Sequence, residues 1–212
     1  KMANHELTVI VTGGDGDGYG IGGNHFIHTA RRNVDLTYIV MNNQVYGLTT
    51  GQVSPTSRLD MITKSTPFGS VERPVNPITS AIMAGATFVA RGYSGHGKHL
   101  TELMKKAVQH KGFSLVDIFS PCTTFNHDND YAFFKERVKK LEDENHDTDD
   151  WKTACEKAMK WGDTIYTGLF FETKDVPSLS ESEATITDGS PLAHHTLGLS
   201  EDQANKIINM MM

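Results

Sequence analysis

The sequence predicts an α/β protein built on a doubly wound, mostly parallel sheet, followed by a helical and irregular C-terminal extension. Three observations carry this: short β-branched apolar runs too continuous to alternate, helix-periodic segments between them, and a glycine-rich turn directly after the first run. Residues 7–12 read as a strand buried on both faces, and residues 13–20 as the turn. Residues 21–32 put Ile21, Phe26, Ile27 and Ala30 at near-helical spacing, and residues 36–41 form a second apolar run, which completes a βαβ unit. Residues 77–86 predict a helix with proline in its first turn, and residues 87–90 a strand. Residues 99–110 predict an amphipathic helix with Leu100, Leu103, Met104, Ala107 and Val108 inward, and residues 114–119 another strand. In such a sheet ligands bind beyond the carboxyl ends of the strands.

Past Pro121 the composition changes. An acidic stretch, residues 142–150, separates two predicted helices at 131–141 and 150–159; residues 165–171 add a late strand, and residues 178–190 read as a loop-rich tail. The expected division is an α/β ligand-binding domain over residues 1–128 and an extension over 129–212.

With 38% hydrophobic and 22% charged residues in 212, the chain has the composition of an ordinary globular protein. Its net charge of −6 argues against nucleic acid and anionic membrane as partners. No apolar stretch approaches the ~20 residues of a transmembrane helix. Two cysteines, Cys122 and Cys155, make no disulfide framework and point to a reducing, cytoplasmic setting. No secretory leader is visible, and the first strand starts so soon after Lys1-Met2 that an N-terminal segment is expected to be missing.

Five glycines (Gly13, Gly14, Gly16, Gly18 and Gly20) between a strand and a helix bring backbone N–H groups close to an anion at a helix N-terminus, which predicts a phosphate site. Gly18, Gly20 and Gly23 also fit the dinucleotide pattern GxGxxG. That pattern calls for an acid at the end of the second strand, whereas this strand ends in Met41-Asn42-Asn43. Asp15 and Asp17 lie inside the loop, where carboxylates beside phosphates repel unless a cation intervenes, and Mg²⁺ with an Asn42-Asn43 oxygen meets that need. The plainer alternative is that the glycines make tight turns and the asparagines cap one.

Gly14-Asp15-Gly16 followed by Asn42-Asn43 resembles the thiamine diphosphate motif. Asn43-Gln44-Val45-Tyr46-Gly47-Leu48-Thr49-Thr50-Gly51-Gln52 with Ser54-Pro55-Thr56 narrows it further. The chain resembles the β subunit of 2-oxoacid:ferredoxin oxidoreductases, most closely the 2-oxoglutarate type. The likeness runs on through Pro74-Val75-Asn76-Pro77, Ala84-Gly85-Ala86-Thr87 and Ser120-Pro121-Cys122-Thr123-Thr124-Phe125-Asn126. It implies a thiamine diphosphate-binding fold in which Asp15, Asn43 and the Val45 carbonyl hold Mg²⁺, while Gly16 and Asp17 present N–H groups to the diphosphate. Leu48 and Thr50 match positions near the reacting carbon and the 2-oxoacid, although archaeal members often carry Lys where Thr50 stands. It implies CoA as acyl acceptor, ferredoxin as electron acceptor, and an α subunit that supplies the carboxylate activating the aminopyrimidine.

A lone cysteine after a buried strand is usually core, and Cys155 reads so too. The resemblance instead makes Cys122 one of four ligands of a 4Fe-4S cluster, the only one this chain carries; the chain by itself is then expected to be impaired or inactive. His25 is expected to approach the diphosphate. The pairs His25/His28 and His96/His99 have metal-compatible spacing but no completing ligand. Three readings stay open: a 2-oxoacid oxidoreductase subunit acting on 2-oxoglutarate, pyruvate or a broad range; a nucleotide-binding oxidoreductase domain; and a non-catalytic fragment that docks a partner.

Overall fold

The computed structural model describes residues 1–187, 189–195 and 198–211. In chain order the strands are β1 (Ile10–Gly14), β2 (Leu36–Asn42), β3 (Val45–Tyr46), β4 (Gln52–Val53), β5 (Phe88–Tyr93), β6 (Phe113–Phe119), β7 (Val138–Lys140) and β8 (Ile165–Glu172). The helices are α1 (Gly23–Arg31), α2 (Pro77–Ala84), α3 (Gly97–Gln109), α4 (Tyr131–Arg137), α5 (Trp151–Ala158), α6 (Leu179–Ser182), α7 (Ala184–Thr187) and α8 (Glu201–Met211). Six strands form one sheet in the order β1-β2-β6-β5-β8-β7; β3 and β4 make a small antiparallel pair beside it. Strands β1, β2, β6 and β5 run parallel and β8 runs against β5, the mostly parallel sheet that the sequence predicts.

The two central strands, β5 and β6, are buried along their whole length, which is why most of their residues are apolar and do not alternate. One face packs Phe26 of α1, Ile78 and Ala81 of α2, and Ala154 of α5 on Val89 and Leu115. The other packs Leu103 and Ala107 of α3 on Phe88, Val116 and Ile118. Helix starts follow local chemistry. Asn76 caps α2 by accepting from the Thr79 N–H at 3.2 Å, with Pro77 at the first helical position, and Asp130 caps α4 through the Phe133 N–H at 2.7 Å.

Four expectations are corrected. The first strand starts at Ile10, and Ile10 and Val11 are 49% and 41% exposed, because β1 is an edge strand paired only with β2. Ile21 is 95% exposed and Ile27 faces outward: a separate turn at Asp17–Ile21 precedes α1 and breaks the assumed periodicity, leaving Phe26 and Ala30 as the buried stripe. The helix expected over 131–141 stops at Arg137, since Val138–Lys140 pairs with β8 and Leu141–Glu144 forms a short 3-10 turn. The tail beyond 178 holds short helices, the first closed by a capping box between Ser178 and Glu181. Among the described residues no helix is long and apolar enough to cross a membrane.

Candidate cofactor and metal site

Parallel strands deliver their carboxyl ends to one edge, so Asp15 after β1, Asn43 after β2 and Cys122 after β6 leave the sheet on the same side. Helical backbone begins at Asp15, directly after β1, so the first N–H groups of this turn lack partners four residues back. Gly14, Gly16 and Gly18 do not have positive φ; space is their reason. A β-carbon on residue 16 would lie 2.3 Å from the Tyr46 ring, and one on residue 18 would lie 2.1 Å from the Tyr38 hydroxyl oxygen. Asp17 is exposed, and its Oδ1 accepts from the Gly14 N–H at 2.7 Å, which stitches the loop together.

Asp15 is 1% exposed. Its Oδ2 accepts from Ser54 Oγ at 2.5 Å and lies 2.7 Å from Thr56 Oγ1, and its Oδ1 accepts from the Asn43 N–H at 3.2 Å. Burial raises its pKa above the ordinary carboxylate value, and these hydrogen bonds only oppose the rise. None of its partners is a cation, so a divalent ion there would supply the counter-charge that the carboxylate lacks.

Asn43 folds back on itself: its Oδ1 accepts from the Val45 N–H at 3.0 Å, and Gln44 between them has φ +62°, so Asn43 Oδ1 and the Val45 backbone share one tight turn. The loop after β6 braces this turn. Asn126 Nδ2 donates to the Asn43 carbonyl at 3.2 Å, and Asn129 Nδ2 to Gln44 Oε1 at 2.7 Å. A buried carboxylate, an amide oxygen and a nearby backbone carbonyl are a hard, all-oxygen donor set, the kind Mg²⁺ takes alongside phosphate.

The remaining predicted residues sit further out. Leu48 is fully exposed and Thr50 exposed, with Thr50 at φ +67° on the turn joining β3 to β4. His25 lies exposed on the first turn of α1, lining a pocket of about 190 Å³ with Asp17, Gly18 and Tyr38, outside the hydrogen-bonded set around Asp15. Cys122 is half-buried with a free thiol. Among the described residues no three His, Cys, Asp or Glu side chains cluster as a metal site. Sequence reasoning did not assign roles to Tyr19, Arg91 and Asp117; the visible signal was a charge in the middle of each of two otherwise apolar strands.

A family model for the C-terminal TPP-binding domain of thiamine pyrophosphate enzymes matches residues 1–118, and one for the C-terminal region of the pyruvate ferredoxin oxidoreductase beta subunit matches residues 122–188. The 2-oxoacid:ferredoxin oxidoreductase β subunit of Saccharolobus solfataricus is 46% identical over 201 residues, covering 90% of this chain and 65% of that one. The 2-oxoglutarate oxidoreductase subunit KorB of Mycobacterium tuberculosis is 49% identical over 125 residues, 59% of this chain and 34% of its own length. The chain thus spans less than two thirds of these relatives. Among solved structures, the 2-oxoglutarate:ferredoxin oxidoreductase of Magnetococcus marinus, with 2-oxoglutarate, coenzyme A and succinyl-CoA bound, superposes with a TM-score of 0.82 at 43% identity. That match covers 97% of this chain and 68% of the other.

Proposed function

The chain belongs to the β-subunit family of the 2-oxoacid:ferredoxin oxidoreductases and carries the family's thiamine pyrophosphate-binding domain, and on that premise we propose that it holds thiamine diphosphate through Mg²⁺ and, with an α subunit, takes part in CoA-dependent oxidative decarboxylation of a 2-oxoacid, with ferredoxin as electron acceptor. The 2-oxoacid we assign is 2-oxoglutarate, supported by the names of the KorB relatives and of the superposed enzyme. Pyruvate is the second reading, supported by the name of the C-terminal family model.

The observation that carries the reading is Asp15, a buried carboxylate at the ligand-binding edge whose partners are all neutral donors. In this reading Asp15 and Asn43 give side-chain oxygens to Mg²⁺ and Val45 its carbonyl oxygen. Gly16 and Asp17 offer N–H groups to the diphosphate, with Gly14 letting the Asp17 side chain close the loop. Thiamine diphosphate, when bound, would supply a thiazolium ring that acts as the electron sink for decarboxylation. Ser54, Thr56 and the loop at Asn126 orient the carboxylate and the turn; Leu48 and Thr50 are assigned to the substrate side by resemblance, and His25 to the outer flank of the diphosphate. The two cysteines of this sequence do not by themselves fit a 4Fe-4S cluster, which takes four thiolates.

The test is calorimetric binding of thiamine diphosphate to the assembled enzyme, with Mg²⁺ and then with chelator, in wild type and Asp15→Ala. Binding that needs the metal and is lost with the carboxylate is expected. Binding indifferent to both overturns the reading, and retention of NAD(H) in its place would favour a nucleotide-binding domain.

A further inference from the structure

A line of buried polar atoms runs from the middle of the sheet to Asp15. Arg91 on β5 and Asp117 on β6 are register partners, 3% and 0% exposed. The Arg91 guanidinium carbon lies over the rings of Phe119 and Phe170, at 5.0 and 5.2 Å from their centres, and its Nε is 3.7 Å from Asp117 Oδ2. Asp117 Oδ1 accepts from the Tyr19 hydroxyl and from Asn42 Nδ2, each at 3.0 Å. The other end of the Asn42 amide, Oδ1, is 3.0 Å from Thr56 Oγ1, which is itself 2.7 Å from Asp15 Oδ2.

Proton counting gives this line a direction. A carboxylate has no proton to give, so the edge of the Asn42 amide that meets Asp117 is its NH₂, and the amide oxygen is thereby turned onto Thr56. The Thr56 hydroxyl has one proton and three oxygens within reach, Asp15 Oδ2 at 2.7 Å, Asn42 Oδ1 at 3.0 Å and, at 3.2 Å, Ser54 Oγ, whose own proton goes to Asp15. If the amide were free to flip, its NH₂ would face Thr56, and the hydroxyl proton would fall to Asp15, the nearer and charged acceptor of the two that remain, covering a lone pair that a cation needs. With the amide held, its oxygen competes for that proton and draws it off Asp15.

We propose that Asp117, itself held by Arg91, is a positioning residue for the cation site: by fixing the Asn42 amide it governs how far the Thr56 proton covers Asp15, and so how tightly Asp15 retains a divalent cation. This rests on the reading of Asp15 as a Mg²⁺ ligand given above. Asp117 touches neither metal nor cofactor in this scheme; it acts only through Asn42 and Thr56. Groups that bond a metal ligand directly, as Thr56 bonds Asp15, commonly change metal affinity by about 10- to 100-fold, and the effect of Asp117, relayed through two side chains, falls at the low end of that range.

The experiment is a Mg²⁺ titration by calorimetry on the assembled, metal-free enzyme in the presence of excess thiamine diphosphate. Four proteins are compared: wild type, the Arg91→Met/Asp117→Leu pair replacement, Thr56→Val, and the combination. The pair replacement removes both buried charges together, so neither is left stranded in the core. It is expected to weaken Mg²⁺ retention by about 10-fold, the low end of the range for a group that bonds a ligand directly, when residue 56 is Thr, and to change it by less than about twofold when residue 56 is Val, because the proton at issue is gone. An equal loss in both backgrounds marks a merely structural role and overturns the proposal, as does no loss in either. Should the core not tolerate the pair replacement, Asn42→Ala, which keeps both charges, is compared with Thr56→Val on the same criterion. A wild type that binds thiamine diphosphate equally well without Mg²⁺ defeats the cofactor reading itself. A wild type that needs Mg²⁺, with equal losses in both backgrounds, leaves that reading standing and defeats only the role of Asp117.

Discussion

Tyr46 closes over Gly16: its hydroxyl donates to the Gly16 carbonyl at 2.8 Å, and its ring fills the space where a β-carbon on residue 16 would stand, 2.3 Å away. The loop beside Asp15 is thus shaped by a tyrosine that follows β2. Gly16→Ala should destabilise the protein by about 1–3 kcal/mol, the usual cost of overpacking, and weaken cofactor binding with it. Gly23→Ala is the control. It sits at the start of α1 with nothing within 4 Å of its would-be β-carbon and should be neutral or gain up to about 1 kcal/mol. Thermal denaturation of the two variants separates a glycine needed for space from one that is not.

Arg91 is the only cation paired with Asp117 among the described residues, and both are buried. Arg91→Met leaves a stranded carboxylate and should cost about 3–5 kcal/mol, whereas replacing Asp117 by Leu at the same time should recover most of that loss. Urea denaturation of the single and double variants reads this directly. Arg91→Lys should not rescue, because an ammonium lacks the flat face that stacks on both Phe119 and Phe170.

His110 has a side chain only 1% exposed, and its Nε2 is 2.8 Å from Thr87 Oγ1. Burial holds its pKa below the ordinary histidine value, against the pull of Glu172. As pH falls through about 6.5 the unfolded chain takes up the proton while the folded one does not, so stability falls with pH until the folded pKa is reached. The slope from this one group cannot exceed about 1.4 kcal/mol per pH unit. Chemical denaturation at about one pH unit either side of that value should show a smaller pH dependence in His110→Gln than in wild type.

Thr50 is β-branched yet has φ +67°, a conformation such residues rarely take. Thr50→Gly should therefore stabilise the protein by about 1 kcal/mol or more. If this turn serves the 2-oxoacid, the same change lowers kcat/KM of the assembled enzyme. A rise in Tm together with a fall in turnover is the expected pair of results; a rise in both would detach Thr50 from catalysis.

The order of the main-sheet strands and the helices between them through residue 119, the glycine loop and the Asp15–Asn43 pairing were legible in the amino-acid sequence, because each rests on local period or on a short motif; the two-residue strands β3 and β4 and the turn at Asp17–Ile21 were not. Strands β5 and β6 are apolar apart from a few residues such as Arg91, Ser114 and Asp117, because both their faces are covered. The break at Val138 was not legible: a strand of three residues forms there only because β8, more than twenty residues later, offers it a partner. Nor were the exposed sides of β1 and Ile21, which depend on what packs against them.

The same division holds at the candidate site. By itself the sequence determined that a carboxylate stands in a glycine loop at the mouth of a parallel sheet, since a strand followed by small residues and a helix leaves little choice. Only the tertiary structure decided the state of that carboxylate. Ser54 and Thr56 reach Asp15 from 39 and 41 residues away, and Asp117 reaches Asn42 across 75. Desolvation, counter-charge and the sharing of a hydroxyl proton depend on which atoms surround a group in space, and no local pattern along the chain encodes that.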